Sequence, residues 1–458
     1  MKFELVKTII LYFLIGLSLL LTFAIWNYDR AYEVAREDDQ TTDAELAGVE
    51  ENKKNLIEPY QILFHTNGTT TGFQEKEKEL DIFDEVSEKV HFYDFSMLEE
   101  NEDEIDESVD YVEIVFPTSM PTAYIREIFS SDEQIFIDSQ FKSVKLFLDE
   151  NRTANQVIFD NSDPYGIDIR ANIQNIPTVI DYFEKVQKEE NFITYQPVEV
   201  RNDRLVYIPS ESNIKGKKFG YTSMSPDSET YQSIFFQNPQ DVKSSPNPEG
   251  GTTYSDGTRQ MFVKGYFMEY TDFSTDDISQ TNQSEGMASQ VRGDQLLTLS
   301  IEHINSHNGW LTQEQKGIKY RLYNVNTSLQ EIEYRMIYNN YPIFSLNTQG
   351  DISTMYLEFR NDSLFRYTRP LMILTQSYDR ADTRLMSGEE LVEFLENSGE
   401  YTTDRIFDIQ LGYRIEQQAE QVFDLIPTWC IQTYNGWEII TKEMTENQGG
   451  HTNAMGTN

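Results

Sequence analysis

Few residues in this sequence have the type and spacing that chemistry requires, and the clearest candidates are two histidines. His303 and His307 lie four residues apart, a spacing that places both imidazoles on one face of a helix, where they could bind a metal ion. A third ligand would have to be Glu302 or a residue from another part of the chain. In the alternative interpretation, His307 lies in the turn 306–309 and its ring caps the helix end or bonds the backbone. We favour this structural role, because two histidines without a third ligand rarely form a metal site.

Three carboxylates surround a second candidate, a short loop. Asp160, Asp163 and Asp168 flank or lie within the sequence NSDPYG at 161–166, and a pair of carboxylates is what glycoside hydrolysis requires. The Asp-Pro step and the glycine of this loop are more typical of a hairpin turn. We therefore interpret the three residues as parts of a turn.

The sequence has none of the short motifs that mark common catalytic or cofactor sites. It lacks the patterns GxxxxGK[ST], GxGxxG, HExxH, GxSxG and CxxC. Its five histidines give too little motif context to rank any serine as a nucleophile. The sequence therefore predicts no catalytic residue, no metal site and no cofactor, and a protein that is not an enzyme.

The composition restricts the class of protein further. The chain has 77 acidic against 37 basic residues, a formal net charge of −40, which excludes broad binding to nucleic acid because phosphates would be repelled. A single cysteine, Cys430, excludes an internal disulfide framework. Aromatic residues make up 13% of the chain, so it can bury substantial cores. The composition indicates an acidic, folded protein.

The amino-terminal region contains a segment long enough to cross a membrane. Residues 8–28 carry no charge, and a helix of this length spans roughly 31 Å, close to the thickness of a bilayer core. Lys2 and Lys7 precede it and acidic residues follow it. We expect a cytoplasmic tip at 1–7, a single transmembrane helix in the cell membrane, and an extracytoplasmic remainder. The alternative is a cleaved signal peptide, but this apolar run is longer than usual and its cleavage site at 22–24 is poor.

One stripe of this predicted helix is a candidate face for contact with other membrane helices. Its members recur every three or four residues, and Ser18 and Thr22 place small hydroxyl groups one turn apart. The alternative is that these hydroxyls bond carbonyls of their own helix. The predicted partner face consists of Thr8, Leu11, Ile15, Ser18, Thr22 and Ile25.

The rest of the chain reads as an α+β protein with several domains, built from antiparallel sheets with few helices. The order sheet, single helix, hairpin occurs twice, which predicts that the second and third domains are alike in topology. Helix-start signals occur at Ser225-Pro226 and at Ser387–Glu390. We divide the region into an acidic stalk at 29–58, either helical or a flexible linker, domains at 59–190, 191–290 and 291–445, and a disordered tail at 446–458.

Several stretches, taken together in their order and spacing, resemble the YycH (WalH) family. They extend from the amino terminus to about residue 440, so the resemblance covers nearly the whole chain. Asn308 and Asn340 stand where we expect glycine, and both turns can accommodate them because asparagine tolerates a left-handed backbone. The matching stretches are IWNY at 25–28, EIVFP at 113–117, VYIP at 206–209, YSDGTRQM at 254–261, INSHNGW at 304–310, EYR at 333–335 and YPIF at 341–344.

The resemblance implies a function as well as a fold. Members of this family are membrane-anchored accessory regulators of the sensor histidine kinase YycG/WalK, which controls cell-wall metabolism in Gram-positive bacteria. The family implies three ectodomain units, no enzymatic activity, contact with the kinase through transmembrane helices, and an ectodomain complex with YycI, a similar anchored protein. His307 and Trp310 are then residues that build a turn.

We therefore expect a single-pass regulator of a two-component system. One alternative is a membrane-anchored extracytoplasmic enzyme or binding protein that acts on cell-wall material. A further alternative is a scaffold for envelope assembly.

Overall fold

The computed structural model describes most of the chain from residue 46 onward. The chain divides into two compact units, 1–43 and 44–458, and only Lys7 and Ser18 of the first are described. The predicted membrane helix apart from Ser18, the first part of the stalk and the tail at 446–458 therefore lie outside the described residues. No helix of the described part is both long and apolar enough to cross a membrane. The described residues are 7, 18, 46, 48–98, 109–149, 156–211, 214–223, 228–275, 293–312, 317–345, 350–360, 362–379, 385–419 and 422–440.

A nine-stranded antiparallel sheet forms the first half of the larger unit. Its strands are β1 (Gln61–Thr66), β2 (Thr69–Phe73), β3 (Phe92–Met97), β4 (Tyr111–Pro121), β5 (Gln140–Phe147), β6 (Val157–Asp160), β7 (Ile169–Ile173), β8 (Phe192–Val200) and β9 (Arg204–Pro209). Their order across the sheet is β3-β7-β6-β5-β4-β1-β2-β8-β9. β1 and β2 are joined by Asn67 and Gly68, whose left-handed φ angles of 51° and 74° form the tight turn.

Two amphipathic helices cover one face of this sheet. The covering helices are α2 (Lys78–Lys89) and α4 (Ile176–Glu189). Two short helices complete this half: α1 (Lys53–Leu56) precedes α2, and α3 (Ile125–Ile128) lies between α2 and α4 in the chain. Phe83 of α2 packs edge-on against Phe116, and Phe183 of α4 packs edge-on against Phe64, with ring centroids 6.0 and 5.9 Å apart. Edge-on aromatic pairs are favourable beyond the area that they bury, so these contacts fix the helices on the sheet.

A fourteen-stranded mixed sheet forms the second half. Its pairs are antiparallel except for the parallel pair β17 and β21. The helices of this half are α5 (Ser228–Phe235), α6 (Gly293–Asn305) and α7 (Gly388–Asn397). The strands are β10 (Lys217–Ser223), β11 (Lys243–Pro246), β12 (Thr252–Ser255), β13 (Arg259–Lys264), β14 (Phe267–Asp272), β15 (Ile318–Asn326), β16 (Glu331–Tyr338), β17 (Tyr341–Ser345), β18 (Thr354–Arg360), β19 (Ser363–Pro370), β20 (Met372–Asp379), β21 (Asp408–Ala419), β22 (Val422–Thr433) and β23 (Gly436–Ile440).

The predicted class, sheets with few helices, is confirmed for the part of the chain from 46 to 440 that the structure describes, which contains seven α-helices. β8 and β9, at 192–209, add to the first sheet through β2, although the sequence places them in the middle domain. Strands from the middle and last predicted domains share the second sheet. The domain boundaries near 190 and 290, and the likeness of the second and third domains, stay predictions.

Candidate functional site

The chain enters the larger unit through a short segment that lies against a turn of the second half. We call residues 46 and 48–51 the docking segment, and residues 305–310, which begin at the last residue of α6, the receiving turn. Leu46 N donates to His307 O at 2.9 Å, and Val49 N donates to Trp310 O at 2.9 Å. Trp310 N donates in return to Val49 O at 3.2 Å. The segment therefore pairs with the turn as a short antiparallel ladder.

The side chain of Asn305 closes this contact. Its Oδ1 accepts from Glu51 N at 2.9 Å, and its Nδ2 donates to Glu51 O at 2.8 Å. The same Oδ1 accepts from the indole Nε1 of Trp310 at 2.7 Å. A carboxamide carries a donor and an acceptor, so this one side chain satisfies both backbone groups of Glu51.

The two backbones approach so closely that only glycine fits at position 48. A Cβ atom on Gly48 would lie 2.2 Å from Trp310 O and 2.4 Å from Asn308 O, far inside van der Waals contact. Leu46, two residues earlier, is buried. The docking segment is therefore a fitted part of the body.

The receiving turn owes its shape to left-handed backbone and a buried aromatic. Asn308 has a φ of 50°, and Gly309 N donates to Ile304 O at 2.9 Å, which ends α6. Trp310 is fully buried and meets Tyr334 edge-on, with ring centroids 4.9 Å apart. The prediction that asparagine at 308 adopts a left-handed conformation is confirmed, as it is at Asn340, where φ is 65°.

The histidine pair supports the receiving turn from inside. The rings of His303 and His307 are 5.4 Å apart, and His307 Nε2 accepts from Arg369 Nη1 at 3.0 Å. Arg369 also donates through Nη2 to Gly309 O. His307 thus lies in the predicted turn and has a structural role there, and its ring contacts the backbone of His303 as well as the guanidinium of Arg369. Among the described residues, no group of three or more His, Cys, Asp or Glu side chains is placed to hold a metal ion.

Both imidazoles are held in the neutral form. Burial, followed by the positive charge of Arg369, lowers the pKa of His303 to about 4. Burial, His303 and Arg369 together lower the pKa of His307 well below its usual range. Since Arg369 Nη1 is a donor, His307 must present an unprotonated Nε2 to it. The pair acts as a neutral support that accepts a hydrogen bond from a buried cation.

A buried polar cluster lies where the chain leaves α1 and meets the second half. Glu58 forms an ion pair with Lys319, and its second oxygen lies 3.5 Å from Arg321 Nη2. Both basic residues belong to β15. Arg321 is almost fully buried, and burial lowers its pKa against the opposing effect of Glu58. This cluster holds the start of the first half against the second.

The cluster continues through Asn340. Its Nδ2 donates to Glu79 Oε2 at 2.8 Å and to Lys76 O at 3.0 Å, and its Oδ1 accepts from Arg321. Lys76 and Glu79 form a buried ion pair at 3.3 Å. Burial lowers the pKa of Lys76 and raises the pKa of Glu79. Buried charges must be paired and hydrogen-bonded, so this cluster fixes one relative arrangement of α2 and the turn after β16.

Comparison with known families identifies the chain. A model of the YycH protein, N-terminal domain, matches residues 4–193, and a model of the YycH protein, C-terminal domain, matches residues 203–448. The chain belongs to the YycH family. Between them the two matches leave residues 194–202 uncovered, which are most of β8 and the turn that follows it, as well as residues 1–3 and 449–458 at the ends.

This YycH-family chain is similar to a characterised protein of Bacillus subtilis (strain 168) and to a solved structure from Bacillus subtilis. The first, the two-component system WalR/WalK regulatory protein YycH, is 19% identical over 475 residues, covering 99% of each chain. The second is the crystal structure of YycH, which is 16% identical with a TM-score of 0.66 and covers 87% of this chain and 100% of that one. The second comparison establishes a shared fold.

The carboxylates of the loop 161–168 are turn residues in this YycH-family chain. Asp168 Oδ1 accepts from Asn161 N at 2.7 Å, and Asp163 Oδ1 accepts from Tyr165 N at 3.0 Å. Asp160 forms an ion pair with Lys145 at 3.3 Å. Carboxylates that cap backbone N–H groups stabilise a turn, so the hairpin interpretation is confirmed.

The predicted partner face lies outside the described residues except for Ser18, so its role stays a prediction. Sequence reasoning missed the docking segment, because it assigned 29–58 to a stalk. Gly48, the one glycine of the charged stretch 29–58, was the local signal. Sequence reasoning also missed the polar cluster, whose signal was a charged residue at 321 between apolar neighbours of a strand.

Proposed function

We propose that this protein is a membrane-anchored accessory regulator of a two-component sensor histidine kinase of the YycG/WalK type. The observation that carries the proposal is the match, over 99% of both chains, with a relative described as a WalR/WalK regulatory protein. The family match on both halves of the chain supports it, because the shared region includes the predicted membrane segment as well as the body. The protein acts without catalysis.

Residues 8–28 anchor the protein in the bilayer with the amino terminus in the cytoplasm. The stripe of Thr8, Leu11, Ile15, Ser18, Thr22 and Ile25 packs against transmembrane helices of the kinase. Such contacts in lipid rely on close packing and on hydroxyl hydrogen bonds, each of which contributes about 0.6–2 kcal/mol.

The anchor regulates the kinase only if it packs differently against the two signalling states. A ligand shifts an equilibrium by its difference in affinity for the two states and by nothing else. A difference of about 1–2 kcal/mol changes the ratio of the states by roughly five- to thirtyfold, which is sufficient to tune a signalling output. The body outside the membrane forms a complex with YycI, which sets the position of the anchor relative to the kinase.

A pair of substitutions in the membrane helix tests this mechanism. Ser18→Leu adds bulk to the partner face, whereas Ala24→Leu adds comparable bulk on the opposite side of the helix and is the matched control. With the full-length protein, YycI and the kinase in lipid nanodiscs, we expect Ser18→Leu to move kinase autophosphorylation at least fivefold towards its level without the regulator. Ala24→Leu should leave it unchanged. Wild-type output with Ser18→Leu, and also with a scrambled 8–28 helix, rejects the mechanism.

A further inference from the structure

The docking segment comes first among the described residues that follow the predicted membrane helix. We propose that its contact with the receiving turn is the mechanical coupling between the membrane helix and the ectodomain body, and that regulation requires this contact to be engaged. The inference rests on the proposed function and identifies the element through which helix and body act on each other.

The contact holds the docking segment at several points. Five backbone groups of the docking segment are bonded to the receiving turn: the N–H groups of Leu46, Val49 and Glu51 and the carbonyls of Val49 and Glu51. These bonds are spread along residues 46–51, so release of the segment requires several of them to break. The fit around Gly48 excludes an alternative side chain at the centre of the contact.

The receiving turn is itself connected to the middle of the second sheet. Arg369 of β19 donates to Gly309 O and to the ring of His307, and both acceptors belong to the receiving turn. β19 pairs with β14 on one side and β18 on the other, so it is an interior strand. Displacement of the docking segment therefore acts on the centre of the body instead of on a loose edge.

Release of the contact would move the first fixed point of the described body further along the chain. The next fixed points are α1, where Lys53 pairs with Glu127 at 3.0 Å, and the buried Leu56. Freeing residues 46–51 adds up to about 20 Å of extended chain between membrane helix and body. We expect this added length to weaken the relay of the body's position to the helix, so that the engaged and released states differ in function.

A glycine substitution with a matched control tests the coupling. Gly48→Ala places a Cβ 2.2 Å from Trp310 O and should expel the docking segment, whereas a Cβ at Gly399 has no atom within 4 Å. In nanodiscs with YycI and the kinase, we expect Gly48→Ala to raise hydrogen exchange at the amides of Leu46, Val49 and Glu51 at least tenfold, with exchange in β5 of the first sheet unchanged. Regulation of autophosphorylation should fall at least fivefold. Gly399→Ala should match the wild type in both measurements.

A second variant keeps the test decisive if Gly48→Ala does not fold. Asn305→Ala removes the bonds to Glu51 and the acceptor of the Trp310 indole N–H without adding a clash, and we expect the same two effects. The proposal is overturned if the amides of Leu46, Val49 and Glu51 exchange rapidly while regulation stays at the wild-type level. It is equally overturned if neither variant accelerates that exchange. In both cases the Ser18→Leu experiment judges the proposed function separately, because that variant leaves the docking contact intact.

Discussion

At the scale of single residues, the surroundings of a side chain decide its role more than its spacing does. His303 and His307 have the spacing of metal ligands, yet Arg369 lies beside both rings and donates to one of them. A neighbouring fixed cation opposes the binding of a second cation. The same arrangement favours neutral imidazoles, so the pair belongs to the support of the receiving turn.

This arrangement makes stability depend on pH. The folded pKa of His303 is about 4, below its ordinary value of 6.5, so the unfolded chain binds more protons there between these values. The contribution of His303 to the free energy of unfolding is therefore fully present above pH 6.5 and is lost as the pH falls towards 4. We expect His303→Phe, which keeps a ring against Tyr367, to remove about 2 kcal/mol of this loss. Urea unfolding of the full-length protein in detergent at pH 7.5 and 4.5 measures it.

For each protein, the loss of stability between pH 7.5 and pH 4.5 is measured. The carboxylates contribute equally to the loss in wild type and in His303→Phe, so their contribution cancels in the difference between the two losses. The prediction is wrong if wild type and His303→Phe lose the same stability between the two pH values.

At the scale of elements, local signals in the sequence set where a helix begins. Ser387 Oγ accepts from Glu390 N at 3.1 Å, and Glu390 Oε2 accepts from Ser387 N at 2.9 Å, which is the predicted capping box of α7. Leu391 and Phe394 of α7 then enter a core cluster shared with β8, β9 and β21. The cap therefore positions a helix that joins strands of both sheets.

Removal of this cap has a measurable cost. We expect Ser387→Ala to lower the free energy of unfolding by about 1 kcal/mol, because Glu390 N loses its acceptor. Ser387→Asp retains an acceptor and should stay within about 0.5 kcal/mol of the wild type. The denaturation midpoints of the three proteins provide the measurement. A wild-type midpoint for Ser387→Ala would show that the cap contributes nothing, and equal losses in both variants would show that the side-chain acceptor is not the cause.

At the scale of the whole molecule, buried polar contacts join the two sheets. Asn340 follows β16 of the second sheet, yet its carboxamide bonds two residues at the start of α2, the helix that covers the first sheet. These are Lys76, just before α2, and Glu79, in its first turn. Burial of these charges is tolerable only in the arrangement that pairs them. The two halves consequently fold against each other in one defined way.

A pair of glycine substitutions tests this joint. Asn339 and Asn340 both have left-handed φ angles, 48° and 65°, so glycine suits the backbone at either position. Asn340→Gly also removes the bonds to Glu79 and Arg321, and we expect it to cost about 2–4 kcal/mol. Asn339→Gly is the control and should cost less than about 1 kcal/mol. Chemical denaturation of the full-length proteins distinguishes them, and similar costs would contradict a structural role for the joint.

The sequence by itself determined the features that depend on near neighbours. The uncharged run at 8–28, the turn at 161–166, the cap at Ser387 and the left-handed asparagines depend on residues a few positions apart, so local patterns predict them. The order of weak motifs along the chain also determined the family. These features follow from backbone propensity and side-chain periodicity, which act over one or two turns of chain.

Only the tertiary structure decided which distant segments meet. β8 and β9 join the first sheet instead of the second, and Glu51 finds Asn305, a residue 254 positions away. No local propensity distinguishes such pairings, because they depend on which surfaces remain unpaired once the sheets have formed. The docking segment illustrates the physical reason: its charged sequence resembles a solvated stalk, and the space between two backbones at Gly48 makes it part of the body.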